Sequence, residues 1–215
     1  GIKLVDFPID EIETGSGAIK SGLALIRDDI NGTCYDRAKD NLIEWRDELV
    51  MKYDNPGRLK CEWDPFEGND YNKIRLAGRV GIAFDAAIDK PTAIMSAMLV
   101  DVGEDFRLTS VPTPNTDEPF EFKLDEIPSQ YKVITRGWMN AQNRESICSK
   151  IKIKPGEMNS YSFEMIPTDH TLKRGHKLAL IIYGIDAEAT QRPDTITEIS
   201  IDVATINCSV PLQLA

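Results

Sequence analysis

Several sequence motifs of catalytic, metal-binding and nucleotide-binding sites are missing from this 215-residue chain. It has only two histidines and four cysteines, and no two cysteines lie close together in the sequence. This spacing excludes a CxxC redox motif and a zinc site built from paired cysteines, and it predicts free thiols in a reducing compartment. The sequence also lacks the nucleophile elbow GxSxG, the Walker A loop and the dinucleotide motif GxGxxG.

Long apolar runs and an excess of positive charge are missing as well. No stretch approaches the roughly 18 apolar residues of a membrane span, and no signal-peptide pattern stands at the start. The formal net charge of -10 argues against nucleic acid and against a membrane as partners, because both require a basic surface. Since the chain begins with Gly1 and shows no leader, we expect it to be a piece of a longer protein.

One segment has the pattern of an amphipathic helix. Thr33 can cap it, apolar residues recur at helical spacing up to Leu49, and Asn55-Pro56-Gly57 ends it. The sequence therefore predicts a helix over about 33–52, within a lead-in segment of residues 1–56.

From Arg58 onward the pattern changes to that of strands. The stretch 73–88 alternates in its first half, 92–103 is apolar at nearly every residue, and 149–166 resembles two strands around Pro155-Gly156. Strands recur between turn signals without intervening helices, which excludes a parallel α/β sheet. We predict a mainly β fold over residues 57–215, an antiparallel β-sandwich of jelly-roll or galactose-binding-like type.

The two histidines, His170 and His176, are the first candidates for chemistry. Lys173, Arg174 and Gly175 between them are typical of a turn joining two strands. Neither histidine has an evident third partner for a metal, and no elbow supplies a nucleophile for a general base. We predict a structural role for both, with His176 partly buried and hydrogen-bonded near the start of its strand.

Other segments carry weaker signals. The loops 28–32 and 67–72 are rich in side-chain oxygens, as calcium sites are, but turn chemistry also explains them. Lys150, Lys152 and Lys154 suggest one solvated face of a strand. The segment 136–146, with Trp138, is either a ligand-contacting loop or a turn whose polar side chains satisfy the backbone. We assign no catalytic, cofactor-binding or metal-binding residue to this chain, and no cofactor.

Several short segments, taken in order, resemble one known domain. They are TAIMSAMLVDVGEDFRL (92–108), RGWMNAQNR (136–144), Pro155-Gly156-Glu157, Gly175-His176-Lys177 and Arg192-Pro193. Together they resemble the C-terminal jelly-roll domain of Xaa-Pro dipeptidyl peptidases of the lactic-acid-bacterial type. These serine peptidases are α/β-hydrolases related to cocaine esterase and the α-amino-acid ester hydrolases. The chain departs from the family at Ala77-Gly78, where Ser usually precedes Gly, and at Val80 or Gly81, where proline is usual.

The resemblance implies what the parent protein does. It would remove X-Pro dipeptides from peptide N-termini through a serine nucleophile, without a metal, as a cytoplasmic homodimer. The family's catalytic triad lies in the upstream hydrolase domain, so this fragment would be inactive alone. Its partners would be the rest of that chain and a second subunit, with proline-containing peptides as substrates of the parent. It would shape access to the active site and support subunit packing.

Two other interpretations stay open. The chain is the same domain of a related esterase or acylase, or it is an independent β-sandwich module that binds carbohydrate or another ligand. A GxSxG-like elbow encoded upstream in the parent gene would favour the peptidase and the esterase or acylase interpretations over the independent binding module.

Overall fold

The computed structural model describes residues 1–28, 57–112, 120–184, 186, 189–190 and 195–214. These residues form a sandwich of two antiparallel sheets with a separate two-stranded hairpin. The prediction of a mainly β antiparallel sandwich is therefore confirmed, while its jelly-roll topology stays a prediction. The helix predicted over 33–52 lies outside the described residues, which contain only one short 3-10 turn, Ala141–Asn143.

Fifteen strands are present in the described part of the chain. They are β1 (Lys3–Asp6), β2 (Ile12–Thr14), β3 (Gly17–Ile19), β4 (Leu23–Asp28), β5 (Arg58–Trp63), β6 (Lys73–Gly78), β7 (Gly81–Ile88), β8 (Ile94–Asp105), β9 (Leu108–Pro112), β10 (Phe120–Leu124), β11 (Ser129–Asn140), β12 (Met158–Glu164), β13 (Thr168–Lys173), β14 (Lys177–Tyr183) and β15 (Thr197–Leu214).

The first sheet is organised around β15, the longest strand. Its strand order is β12-β7-β15-β6-β13, and β1 and β4 also pair with β15. The second sheet has the order β11-β8-β14-β5-β2-β3. Strands of residues 1–28 thus belong to both sheets, and the domain boundary expected at residue 56 stays a prediction.

The core lies between the sheets because each strand directs alternate side chains inward. In β7 the inward residues Ile82, Phe84, Ala86 and Ile88 are buried, and the residues between them are half-buried. Strand β8 is buried along most of its length, and one of its faces packs in a second cluster that contains Met98, Val100 and Ile181. Within 92–103, the prediction of a strand buried on both faces is confirmed for residues 95–101.

One predicted strand pattern is wrong in detail. The stretch 73–88 is not one strand, because it divides into β6 and β7 after Gly78. Gly78 has φ of 136°, in a region that side-chain-bearing residues rarely adopt, so the backbone turns there.

The lysine-rich segment is not a strand either. Only β12 forms within 149–166, and residues before Met158 lie outside the strands. The amide of Ile151 donates to the carbonyl of Gln142, and the buried Ile153 anchors the segment to the core. The strand predicted for Lys150, Lys152 and Lys154 is therefore wrong. The predicted solvent exposure of the three lysines is confirmed, and Lys154 pairs with Glu157.

Candidate functional site

One buried carboxylate, Asp101, binds both histidines of the chain. Its Oδ2 atom lies 2.8 Å from Nε2 of His170, and its Oδ1 atom lies 2.7 Å from Nδ1 of His176. The guanidinium of Arg107 donates to Oδ2 at 2.9 Å and to the carbonyl of Gly103 at 2.9 Å. We call these four side chains, Asp101, Arg107, His170 and His176, the Asp101 cluster.

The cluster joins the two sheets. Asp101 lies on β8, and His176 stands just before β14, its neighbour in the same sheet. His170 lies on β13, at the edge of the opposite sheet. The turn at Lys173–Gly175 is confirmed, and it brings both histidines to the same carboxylate. One side chain therefore ties β8, β13 and the start of β14 together.

Gly103 makes room for the ring of His176. A Cβ atom at this position would lie 2.4 Å from the Cδ2 atom of His176, closer than real contacts allow. Two residues of the DVG sequence in β8 therefore position His176. Asp101 binds the imidazole, and Gly103 leaves the space for it. His176 is 8% exposed, so the predicted burial and hydrogen bond at the strand start are confirmed.

Electrostatics favour the charged form of Asp101. Burial alone would raise the pKa of this carboxyl, but the bonds from His170 and Arg107 and the nearby positive charge outweigh it. Together they lower the pKa of Asp101 to about 2. The carboxylate is thus ionised at neutral pH and compensated inside the protein.

This arrangement fits an anchor better than a catalytic dyad. Both carboxylate oxygens are already hydrogen-bonded. The positive charge of the adjacent guanidinium would repel a metal cation at this carboxylate. Within the described ranges no group of three or more His, Cys, Asp or Glu residues can hold a metal ion. An Asp–His pair needs a nucleophile within reach to act as general base.

Neither Asp101 nor Arg107 was predicted from the sequence as a partner of the histidines. One signal was present, since Asp101 is the only charge in an otherwise apolar run that is buried on both faces. A buried charge requires a partner. The partner's identity depends on strand pairing, because Asp101 and His176 are 75 positions apart.

A second buried carboxylate, Asp186, organises the segment around Trp138. The indole Nε1 donates to Oδ2 of Asp186 at 3.1 Å, and the hydroxyl of Tyr183 donates to the same atom at 2.7 Å. The guanidinium of Arg136 lies 3.8 Å from this oxygen, and Asp186 is fully buried. The N–H edge of the Trp138 indole therefore faces the protein interior.

The amides of this segment satisfy the backbone. Oδ1 of Asn140 accepts from the amide of Gln142 at 2.9 Å, which caps the 3-10 turn. The side-chain amide of Asn143 donates to the carbonyls of Ser146 and Ser149, both at 3.1 Å. Of the two interpretations of 136–146, these bonds support the structural one.

A cleft of about 450 Å³ lies beside Trp138. The polar groups on its wall are Thr135 and Arg136, and Ile166 and Pro167 contribute apolar surface. Its volume is in the range of small-molecule sites. Of the polar wall groups, Thr135 donates to the carbonyl of Ile166 at 2.6 Å.

The remaining candidates from the sequence are the two oxygen-rich loops and the cysteines. In the loop before β6, Oδ1 of Asp64 accepts from the amide of Phe66, and Oδ1 of Asn69 accepts from the amide of Tyr71. These bonds support turn chemistry over a calcium site at 67–72. Most of the loop 28–32 lies outside the described residues. Of the cysteines, Cys61, Cys148 and Cys208 are free thiols, and Cys34 is in a range that is not described.

The conspicuous polar groups of this β-sandwich bind one another and connect its strands. The family comparison gives the class of domain. The family model described as "X-Pro dipeptidyl-peptidase C-terminal non-catalytic domain" matches residues 72–210. The chain belongs to this family, as its sequence resemblance implied. No helix in the described ranges is long and apolar enough to cross a membrane.

Curated relatives carry the same family name. The chain is 27% identical over 211 residues to a Xaa-Pro dipeptidyl-peptidase of Lactobacillus delbrueckii subsp. lactis, covering 93% of this chain and 26% of the relative. It is 28% identical over 176 residues to one of Streptococcus thermophilus, covering 78% of this chain and 22% of the relative. The chain thus spans about a quarter of the length of these relatives.

Solved structures share the fold at low identity. An aminopeptidase from a marine sediment Thaumarchaeota archaeon matches with a TM-score of 0.63 and 11% identity, over 100% of this chain and 37% of that chain. An α-amino acid ester hydrolase matches with a TM-score of 0.57 and 12% identity, over 95% of this chain and 36% of that chain. At this identity the likeness concerns the fold alone.

Proposed function

We propose that this chain is the non-catalytic C-terminal domain of a serine peptidase that removes X-Pro dipeptides from peptide N-termini. The family match over 72–210 carries the proposal. The Asp101 cluster supports it, because the only two histidines of the chain are held by a structural carboxylate. The serine nucleophile and its partners would reside in the part of the parent outside these 215 residues.

The domain's contribution to the parent is packing and shape. A sandwich beside the hydrolase domain narrows the mouth of the active site, favours short peptides and supports a subunit interface. The parent would act as a cytoplasmic homodimer, as the resemblance implies. The free thiols of the described residues are in keeping with a reducing compartment.

A peptidase assay tests this proposal. The purified 215-residue chain and the full-length parent are compared on Ala-Pro-p-nitroanilide, with Ala-Ala-p-nitroanilide as the control substrate. We expect turnover of the Ala-Pro substrate by the parent and none by the chain. Turnover by the chain itself would refute the assignment of catalysis to the rest of the parent. A parent that hydrolyses neither anilide would favour the related esterases.

The cleft beside Trp138 gives a specific reason to test the binding-module alternative. Sugars stack on aromatic rings and bond to groups such as Arg136. Titration of the chain with a panel of mono- and oligosaccharides, followed by tryptophan fluorescence, examines this directly. A flat response is expected if the segment is structural, whereas a saturable signal lost in Trp138→Phe would favour a ligand-binding function.

A further inference from the structure

The hairpin of β9 and β10 stands apart from both sheets. It forms a two-stranded sheet of its own, with five register pairs from Phe120↔Pro112 to Leu124↔Leu108. It continues the pairing of β8 with β11, which begins at Ser129↔Asp105. We call residues 106–112 and 120–127 the β-arm.

One face of the β-arm is apolar and exposed. Leu108 and Leu124 are register partners, and Phe122 lies two residues from Leu124, so the three share a face. They are 60%, 61% and 73% exposed, respectively. Phe106 and Ile127, at the base of the arm, are 50% and 78% exposed.

The other face of the β-arm carries the charged residues of β10. Glu121 and Lys123 alternate with the apolar residues of β10 and form an exposed ion pair. An isolated two-stranded hairpin is only marginally stable in water, and an exposed apolar patch of this kind marks an interaction surface. An amphipathic hairpin therefore needs a cover on one face only.

The base of the β-arm is fixed by the Asp101 cluster. Arg107, the residue before β9, binds Asp101 and the carbonyl of Gly103. The carbonyl of Arg107 in turn accepts from the amide of Asp125, which closes the base of the hairpin at 2.9 Å. The inter-sheet anchor thus sets where the arm leaves the sandwich.

The surroundings of the patch indicate its occupant. Glu104, Asp105, Asp125 and Glu126 flank the base of the arm. Lys173 pairs with Asp105, and the other three carboxylates leave the rim acidic. A second copy would bring an identical acidic rim to a symmetric contact, and acidic membranes and nucleic acids would be repelled as well. The chain spans about a quarter of the length of its relatives, so a parent of that length would hold a large polypeptide available to cover the patch.

We propose that the apolar face of the β-arm docks onto the rest of its own parent polypeptide, at an apolar surface with a basic rim. This inference rests on the proposed function, since it requires that the chain be part of a larger hydrolase. It assigns the inter-domain contact to Phe106, Leu108, Phe122, Leu124 and Ile127 rather than to either sheet.

Photo-crosslinking of the full-length parent tests the docking. The photoreactive amino acid p-benzoyl-phenylalanine replaces Phe122, and in a matched control it replaces Glu121, the adjacent residue on the polar face. After irradiation, mass spectrometry identifies the linked peptides. We expect a crosslink within one chain, from position 122 to residues that precede Gly1, with at least about tenfold higher yield than from position 121.

Every other outcome overturns the inference. Links from position 122 to a second copy would assign the patch to the subunit interface. Equal yields from both positions, or no link from position 122, would mean that the apolar face is not covered. Ala-Pro-p-nitroanilide hydrolysis by the same preparation is measured before irradiation, so a wrong proposed function would appear as missing activity, independently of the crosslinks.

Discussion

Asp101 is the residue on which the most interactions of the candidate site converge. Its carboxylate receives two imidazoles and a guanidinium, and these partners come from both sheets and from the base of the β-arm. Removing one partner of a buried charge leaves the others uncompensated, which is more costly than removing an exposed ion pair. The two histidines, which first suggest catalysis, are thereby explained as structural hydrogen-bond partners of this carboxylate.

Replacing Asp101 should change how stability depends on pH. The folded-state pKa of about 2 lies below the ordinary value of 3.8, so this group stabilises the fold above about pH 4. That stabilisation, of about 2 kcal/mol, is lost as pH falls from about 4 to about 2. In Asp101→Asn we expect a loss of about 3 kcal/mol at pH 7, measured by urea unfolding, and a shallower acid limb.

The matched control for this prediction is Asp169→Asn. Asp169 pairs with Arg75 on the surface, where solvent screens the interaction. We expect the control to retain the steep acid limb of the wild type. If Asp101→Asn and wild type lose stability in parallel between pH 4 and pH 2, the assignment of that limb to Asp101 is wrong.

Gly103 should not tolerate a side chain. In Gly103→Ala the new Cβ atom would overlap the ring of His176, which is held by Asp101. We expect a loss of about 1 to 3 kcal/mol in the free energy of unfolding. Gly81→Ala is the control, because nothing lies within 4 Å of a Cβ atom there and its effect should be much smaller. Equal effects of the two substitutions would contradict the close approach at Gly103.

At the scale of elements, strands that are buried on both faces were the most predictable. Strand β8 is recognisable in the sequence as a nearly continuous apolar run. A strand covered on both sides has no solvent-facing side, so polar residues do not alternate with apolar ones. The turn at Lys173–Gly175 was equally evident from its residue types. Alternation misled at Ile151 and Ile153, because the side chains alternate there but no neighbouring strand pairs with the backbone.

Contacts across the sandwich could not be predicted from the sequence. The division of 73–88 depends on the positive φ of Gly78, and the amino-acid type alone does not distinguish a bulge from a strand end. The Asp101 cluster depends on sheet order, which places β13 and β8 opposite each other although they are far apart in sequence. Local patterns report burial and turns, whereas the site is built from long-range pairing.

Hydrogen exchange should separate the β-arm from the sandwich. In the isolated chain we expect the central amides of β8 and β14 to exchange only through global unfolding, since both strands are paired on two sides and buried. Amides of β9 and β10 should exchange faster by local opening, because the hairpin has two strands and exposed faces. Protection of the β-arm equal to that of β8, measured by mass spectrometry, would contradict its independence.

At the scale of the whole molecule, the chain belongs to a family of C-terminal non-catalytic domains, and the motifs that resemble this family have structural contacts here. The motif SAMLVDVG supplies Asp101 and Gly103, the Gly-His-Lys motif supplies His176, and the RGW segment supplies Trp138 for Asp186. In this chain, several of the motifs that carry the resemblance therefore connect its two sheets and the neighbouring segments. The β-arm remains as the exposed surface that the rest of the parent would cover.

The central claim, that the histidines are structural, is tested most directly by kcat of the full-length parent carrying His176→Phe or His176→Asn. Asn keeps a donor near the position of Nδ1 and should restore much of the stability that Phe loses. At a temperature where all variants are folded, we predict kcat on Ala-Pro-p-nitroanilide within about twofold of wild type and a lower unfolding midpoint for Phe. A fall in kcat of about 100-fold or more, with an unchanged unfolding midpoint, would contradict the account and indicate a general base.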